Sequence, residues 1–124
     1  MDPTVESYIL IVEDNSDLRS VYKQCLNYAG FTVELAGNGQ EALDLLRSMK
    51  TLPNLILLDL MMPVMDGWQC LKELSKDPKL VNIPVIICSA AIHDLPVDRP
   101  ILGKPVSQKT LIKTAAEFCK AARY

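Results

Sequence analysis

The sequence predicts an open α/β sheet of parallel strands with helices packed on it, and three observations carry that prediction. Five short apolar runs, at 8–12, 31–36, 55–58, 84–88 and 100–102, are continuous rather than alternating, as strands buried on both faces of a sheet are. Longer amphipathic segments separate most of them, in the order β-α-β-α-β-α-β-β-α. Parallel strands need crossovers of that length, and such crossovers are right-handed.

Each element has its own local signal. Tyr8 through Val12 form the first strand, rich in Ile, Leu and Val. Leu18, Val21, Tyr22, Cys25, Leu26 and Ala29 recur at three- and four-residue steps and mark the first helix, which Gly30 stops,. After the second strand, Asn38 caps a helix with Glu41 as its capping-box partner, and Ala42, Leu45, Leu46 and Met49 form the buried stripe. The third helix starts near Asp66-Gly67, buries Trp68, Leu71 and Leu74, and breaks at Asp77-Pro78. The last starts at Ser107 and buries Leu111, Ala115, Phe118 and Ala122.

One connection is too short. If the fifth strand starts near Pro100, only residues 90–98 remain to cross from the fourth strand. A parallel crossover with its helix takes at least about 10–12 residues, and Pro96 and Pro100 shorten any helix further. The crossover helix here, the fourth in the usual pattern, is expected to be absent or reduced to about a turn.

With 124 residues, 49% apolar and 23% charged, the chain can bury roughly two-thirds of its unfolded surface. No repeat, low-complexity tract or linker divides it, so residues 1–124 are expected to form one domain. A net charge of -2 and a pI near 5.3 argue against a surface built for nucleic acid or anionic membrane. No apolar run approaches the roughly 20 residues that span a bilayer, and the N-terminal residues lack secretory-signal character. Cys25, Cys70, Cys88 and Cys119 are scattered without a C-x-x-C pair, so buried thiols in a reducing, cytoplasmic setting are expected rather than zinc or disulfides.

In open α/β sheets, ligands bind beyond the carboxyl ends of the strands. The first strand ends in Glu13-Asp14, the third in Asp59, the fourth in Ser89 and the fifth is followed by Lys104. Singly, each has an ordinary reading, such as a helix-preceding acid for Asp14 or a solvated lysine for Lys104. Jointly they bring three carboxylates, a hydroxyl and an ammonium to one edge. Clustered carboxylates repel unless a cation sits among them, and a few oxygen ligands completed by water suit Mg²⁺. Metal, nucleophilic carboxylate, hydroxyl and ammonium together equip a site for phosphoryl transfer.

Ile11-Val12-Glu13-Asp14-Asn15, the stretch from Asp59 to Gly67 (DLMMPVMDG), Ser89-Ala90 and Lys104-Pro105 resemble the receiver domain of two-component response regulators. The resemblance runs from about Tyr8 to the C-terminus. It implies a flavodoxin-like five-stranded sheet in the order 2-1-3-4-5, and a phosphoacceptor role for Asp59, served by the phosphohistidine of a sensor histidine kinase or histidine phosphotransfer protein. It also implies that Asp14 and Asp59 hold Mg²⁺ directly, Glu13 mostly through water, and the Met61 backbone carbonyl as a further ligand. Ser89 is implied to bond one phosphoryl oxygen and Lys104 to neutralise another. Pro63 and Gly67 are expected to shape the adjoining turn, and the Lys104–Pro105 bond to be cis. On this reading the chain is no enzyme beyond its own aspartyl phosphorylation and dephosphorylation, and it signals by altered binding to a downstream protein.

Two departures stand out. Ile101 occupies a position where the family usually carries an aromatic residue, and the connection after Ser89 is short. They motivate an alternative, a phosphorylation-independent interaction module on the same fold. A phosphatase or nucleotide enzyme fits poorly, because no Walker loop is present and Met61 stands where a second acid would follow Asp59. Apolar Met61 and Ala91 beside the site lean towards slow hydrolysis of the phosphoryl group. His93 reads as a loop residue, and the lysines of the last helix as a solvated face. No output domain is expected within these residues.

Overall fold

A computed structural model describes residues 8–90 and 99–119. The elements run β1 (Tyr8–Val12), α1 (Ser16–Tyr28), β2 (Thr32–Ala36), α2 (Gly39–Ser48), β3 (Leu55–Asp59), α3 (Gly67–Lys76), β4 (Val85–Ser89), β5 (Ile101–Gly103) and α4 (Gln108–Phe118). All four pairings are parallel, and the strands lie in the order β2-β1-β3-β4-β5, as the sequence resemblance implied. Four helices occur among the described residues. The expected loss of the crossover helix, and the loop reading of His93, fall on residues 91–98 and lie outside the described residues.

Strand position explains strand composition. β1, β3 and β4 are interior, and every residue in them is buried. Edge strands β2 and β5 are mixed, with Glu34 and Gly103 exposed, so the continuous-run rule holds in the middle of the sheet and relaxes at its rims. Side chains alternate between two cores. Leu10, Val12, Ile56, Leu58, Val85 and Ile87 meet Leu46 of α2 and Cys70 and Leu74 of α3 on one face. Ile9, Ile11, Leu55, Leu57, Ile86 and Cys88 meet Tyr22 and Leu26 of α1 and Leu111 and Ala115 of α4 on the other. Each Leu, Ile or Val among them, fully buried, is worth about 1.5–3 kcal/mol of transfer free energy.

Capping side chains start all four helices, at Asn38, Asp66 and Ser107 where the sequence places the helix starts and at Asn15 where no cap was read. Asn15, Asn38, Asp66 and Ser107 accept from the N–H of Leu18, Glu41, Gln69 and Thr110 respectively. The Glu41 carboxylate accepts from the Gly37 N–H at 2.8 Å and from the Asn38 side-chain Nδ2 at 3.5 Å rather than from the Asn38 backbone N–H, a capping box displaced by one residue. Every helix face differs from expectation in detail: α2 buries Leu43 beside Ala42 and Leu46 while Leu45 and Met49 are only partly buried, and Phe118 of α4 is also only partly buried. In α3 the buried side chains are Cys70 and Leu74, whereas Trp68 and Leu71 are only partly buried against the core. The helix sits rotated because Gly67 must lie closest to β3, as described below. In α1, Val21 is 57% exposed, since Tyr22 and Leu26 already fill the contact with the sheet. Ala122 lies outside the described residues.

Candidate metal and phosphoryl site

The register of the parallel sheet builds the site. β1 and β3 pair Val12 with Leu58, so the next step along both strands sets Glu13 beside Asp59, each continuing the alternation of its strand. β3 and β4 pair Asp59 with Cys88, which places Ser89 one residue further on. β4 and β5 pair Ser89 with Gly103, and Lys104 follows, its N–H donating to the Ser89 carbonyl at 2.9 Å. Residues up to 91 positions apart in sequence thus reach one sheet edge (Glu13 to Lys104, 104 − 13).

The side chains make a charged cluster. Lys104 Nζ contacts Glu13 Oε1 and lies 3.1 Å from Asp59 Oδ2. Asp59 Oδ1 accepts from the Met61 N–H at 3.3 Å, and Glu13 Oε2 accepts from the Asn15 N–H at 3.1 Å. Glu13, Asp59 and Ser89 are 2%, 4% and 2% exposed, whereas Met61 is 75% exposed and Asp14 lies open to solvent. Carboxylate oxygens of Glu13, Asp14 and Asp59 lie within 4.8 Å of one another. Burial pushes the Glu13 carboxyl above the usual carboxylate range, against the lowering effect of Lys104 and the Asn15 N–H. Burial works to lower the Lys104 ammonium, but its bonds to Glu13 and Asp59 outweigh that and raise it. Three oxygen donors, two of them buried, fit a small hard divalent cation, with solvent reaching the site on the Asp14 side.

The backbone around Asp59 is equally specific. The Gly67 N–H donates to the Leu60 carbonyl at 3.0 Å. A Cβ on Gly67 would stand 2.4 Å from the Asp59 carbonyl oxygen and 2.7 Å from Leu60 Cα, so only glycine lets α3 start this close to the site. Val64, in the intervening loop, has φ of 67°, a conformation costly for a β-branched residue. The Lys104–Pro105 bond is cis.

Sequence reasoning missed two supporting contacts. Arg19 Nη1 donates to the Glu13 carbonyl oxygen at 2.7 Å, and the Tyr22 hydroxyl accepts from the Val106 N–H at 3.4 Å. A cation in the opening turns of a helix runs against the macrodipole, and that mismatch was the available signal for Arg19. Tyr22 carried none, because an aromatic residue on an apolar stripe reads as core. A groove of about 900 Å³, lined by Leu46, Arg47, Met49, Lys50, Leu52 and residues 77–80, contains none of the predicted site residues. Its lining segments precede β3 and β4, so it opens at the opposite end of the sheet.

Fold and site together define an α/β protein of flavodoxin-like topology with an acidic cleft at its strand ends. The chain belongs to the response regulator receiver domain family, which it matches over residues 9–116. It is 34% identical to the sensor histidine kinase CheAY of Helicobacter pylori over 68% of the chain, spanning 10% of that kinase's length. It is 36% identical to the transcriptional regulatory protein CpxR homolog of Haemophilus influenzae, over 86% of the chain and 47% of that protein. Among solved structures, the phosphorylated cyanobacterial phytochrome response regulator RcpA superposes with a TM-score of 0.72, at 29% identity and with 91% of each chain covered. Among the described residues, no helix is long and apolar enough to cross a membrane.

Proposed function

We propose that this chain is a phosphoacceptor receiver, taking a phosphoryl group onto Asp59 from the phosphohistidine of a sensor kinase or phosphotransfer protein. The observation that carries the reading is the cluster itself: three converging carboxylates with Lys104 seated between the two buried ones. Such a cluster is electrostatically expensive unless it serves a cation and an incoming anion. Family membership and the phosphorylated relative RcpA support it.

Asp14, Asp59 and the Met61 backbone carbonyl would hold Mg²⁺ directly, with Glu13 acting through water. A bound Mg²⁺ would neutralise negative charge on the carboxylates and on the phosphoryl oxygens during transfer. An Asp59 carboxylate oxygen attacks phosphorus in line with the leaving imidazole. The P–O bond forms as the P–N bond breaks, and the imidazole nitrogen keeps the electron pair. Lys104, already 3.1 Å from Asp59 Oδ2, pairs with one phosphoryl oxygen, and the Ser89 hydroxyl donates to another. The phosphoryl group brings about -1.5 to -2 charges to the cleft while the Asp59 carboxylate gives up its own in forming the P–O bond, and that change in charge and shape alters binding to a downstream protein. Residues 1–124 act in this as one cytoplasmic domain, and the chemistry is confined to its own aspartyl phosphate.

Incubation with phosphoramidate and Mg²⁺ tests the reading. One phosphoryl group per chain is expected, lost in EDTA and lost in Asp59→Asn. Equal labelling of Asp59→Asn, or none of the wild type with any donor, refutes it.

A further inference from the structure

Arg19 is the fourth residue after the Asn15 cap of α1. Its backbone N–H serves the helix, donating to the Asn15 carbonyl at 2.9 Å. Its guanidinium instead turns back, and Nη1 donates to the Glu13 carbonyl oxygen at 2.7 Å, a short charge-assisted bond. Other restraints converge on the same residue. The Glu13 N–H donates to the Ala36 carbonyl at 3.0 Å, and its carboxylate is held by the Asn15 N–H. The guanidinium lies over Gly37, where a Cβ would stand 3.3 Å from Nη1 and 3.3 Å from Glu41 Oε1. The backbone leading into Asp14 is therefore gripped from β2 on one side and from α1 on the other.

We propose that Arg19 is a positioning residue: its bond to the Glu13 carbonyl, seated over the bare Cα of Gly37, holds the Glu13-Asp14 turn at the spacing from Asp59 that binds a divalent cation. The inference rests on the Mg²⁺-dependent reading of the site given above. Geometry and charge predict opposite signs. If Arg19 mattered only as a nearby positive charge, its removal would relieve repulsion and tighten Mg²⁺ binding. If it holds the ligands in place, removal weakens binding, and partners that orient metal ligands typically change affinity by about 10- to 100-fold.

Calorimetric titration of the full chain with Mg²⁺ decides between them. Arg19→Met is expected to bind about tenfold more weakly, and Arg19→Lys to recover part of the loss. Gly37→Ala should also weaken binding, by less, because its Cβ crowds the guanidinium without changing any charge. At saturating Mg²⁺, Arg19→Met should regain most of the wild-type rate of phosphorylation, since the reacting groups are intact. Unchanged or tighter Mg²⁺ binding by Arg19→Met overturns the inference while leaving the phosphoacceptor reading standing. Absence of Mg²⁺ binding by the wild type overturns that reading and the inference with it. Should Arg19→Met not fold, Gly37→Ala decides, and affinity equal to wild type refutes the proposal.

Discussion

Replacing Lys104 by Met removes the only cation in contact with two buried carboxylates among the described residues, and the structure sets the scale of the loss. The ammonium lies 3.1 Å from Asp59 Oδ2 and closer to Glu13, and the side chains of Lys104, Glu13 and Asp59 are only 15%, 3% and 6% exposed. At an effective dielectric constant near 20, one such pair is worth about 5 kcal/mol of gross Coulomb energy. Desolvation of the ammonium offsets much of that in the wild type. Deleting one partner of a buried pair nevertheless costs about 3–5 kcal/mol, because uncompensated charge is left behind. Glu13 limits the damage by taking up a proton, which burial already favours. A net loss of about 3 kcal/mol in EDTA at pH 7 follows, or about 10 °C in melting temperature for a chain this size.

The pH dependence has a definite sign. Lys104 has a raised folded pKa, so its contribution is fully present below the ordinary lysine value and disappears as pH rises through the folded one. For Glu13, also raised, stability is greatest on the acid side and falls as pH rises through its folded value, most steeply in the variant. The gap between wild type and Lys104→Met should therefore narrow as pH falls through the raised Glu13 range. Saturating Mg²⁺ should narrow it as well, because the folded variant, freed of the ammonium beside Glu13 and Asp59, binds the cation more tightly than the wild type does. Thermal melts in EDTA at several pH values measure this. An unchanged melting temperature at pH 7, or a gap that widens on acidification, refutes the reasoning.

Other outcomes follow from the same geometry. Gly67→Ala places a Cβ 2.4 Å from the Asp59 carbonyl oxygen and should cost about 1–3 kcal/mol in urea unfolding, together with slower phosphorylation; wild-type stability would contradict the close approach. Burial holds the thiols of Cys70 and Cys119 up at about 11 and that of Cys88 at about 12, so native-state alkylation at pH 8 should modify half-buried Cys25 first and Cys88 last,.

Where the sequence was readable, the reason was local. The interior strands β1, β3 and β4 announce themselves as unbroken apolar runs because both their faces are covered, and the caps at Asn38, Asp66 and Ser107 act within three residues of themselves. The clustering of the candidate residues Glu13, Asp14, Asp59 and Lys104 was legible because parallel strands of a doubly covered sheet deliver their terminal polar residues to one edge. What escaped depends on tertiary packing. The rotation of α3, which buries Cys70 rather than Trp68, follows from the approach of Gly67 to Asp59 and Leu60, a contact with no periodic signature. Arg19 contacts a carbonyl six residues earlier; its place in the opening turns of the helix marks it as unusual but does not name that partner. Tyr22 reaches the Val106 N–H across 84 positions.

The central claim is that Asp59, among the three clustered acids, carries the phosphoryl group. Borohydride reduction of the phosphorylated chain, followed by peptide mass mapping, reads the position directly. The account predicts a single reduced residue, at Asp59, dependent on Mg²⁺. Reduction at Glu13 or Asp14, or an identical pattern in Asp59→Asn, would contradict it.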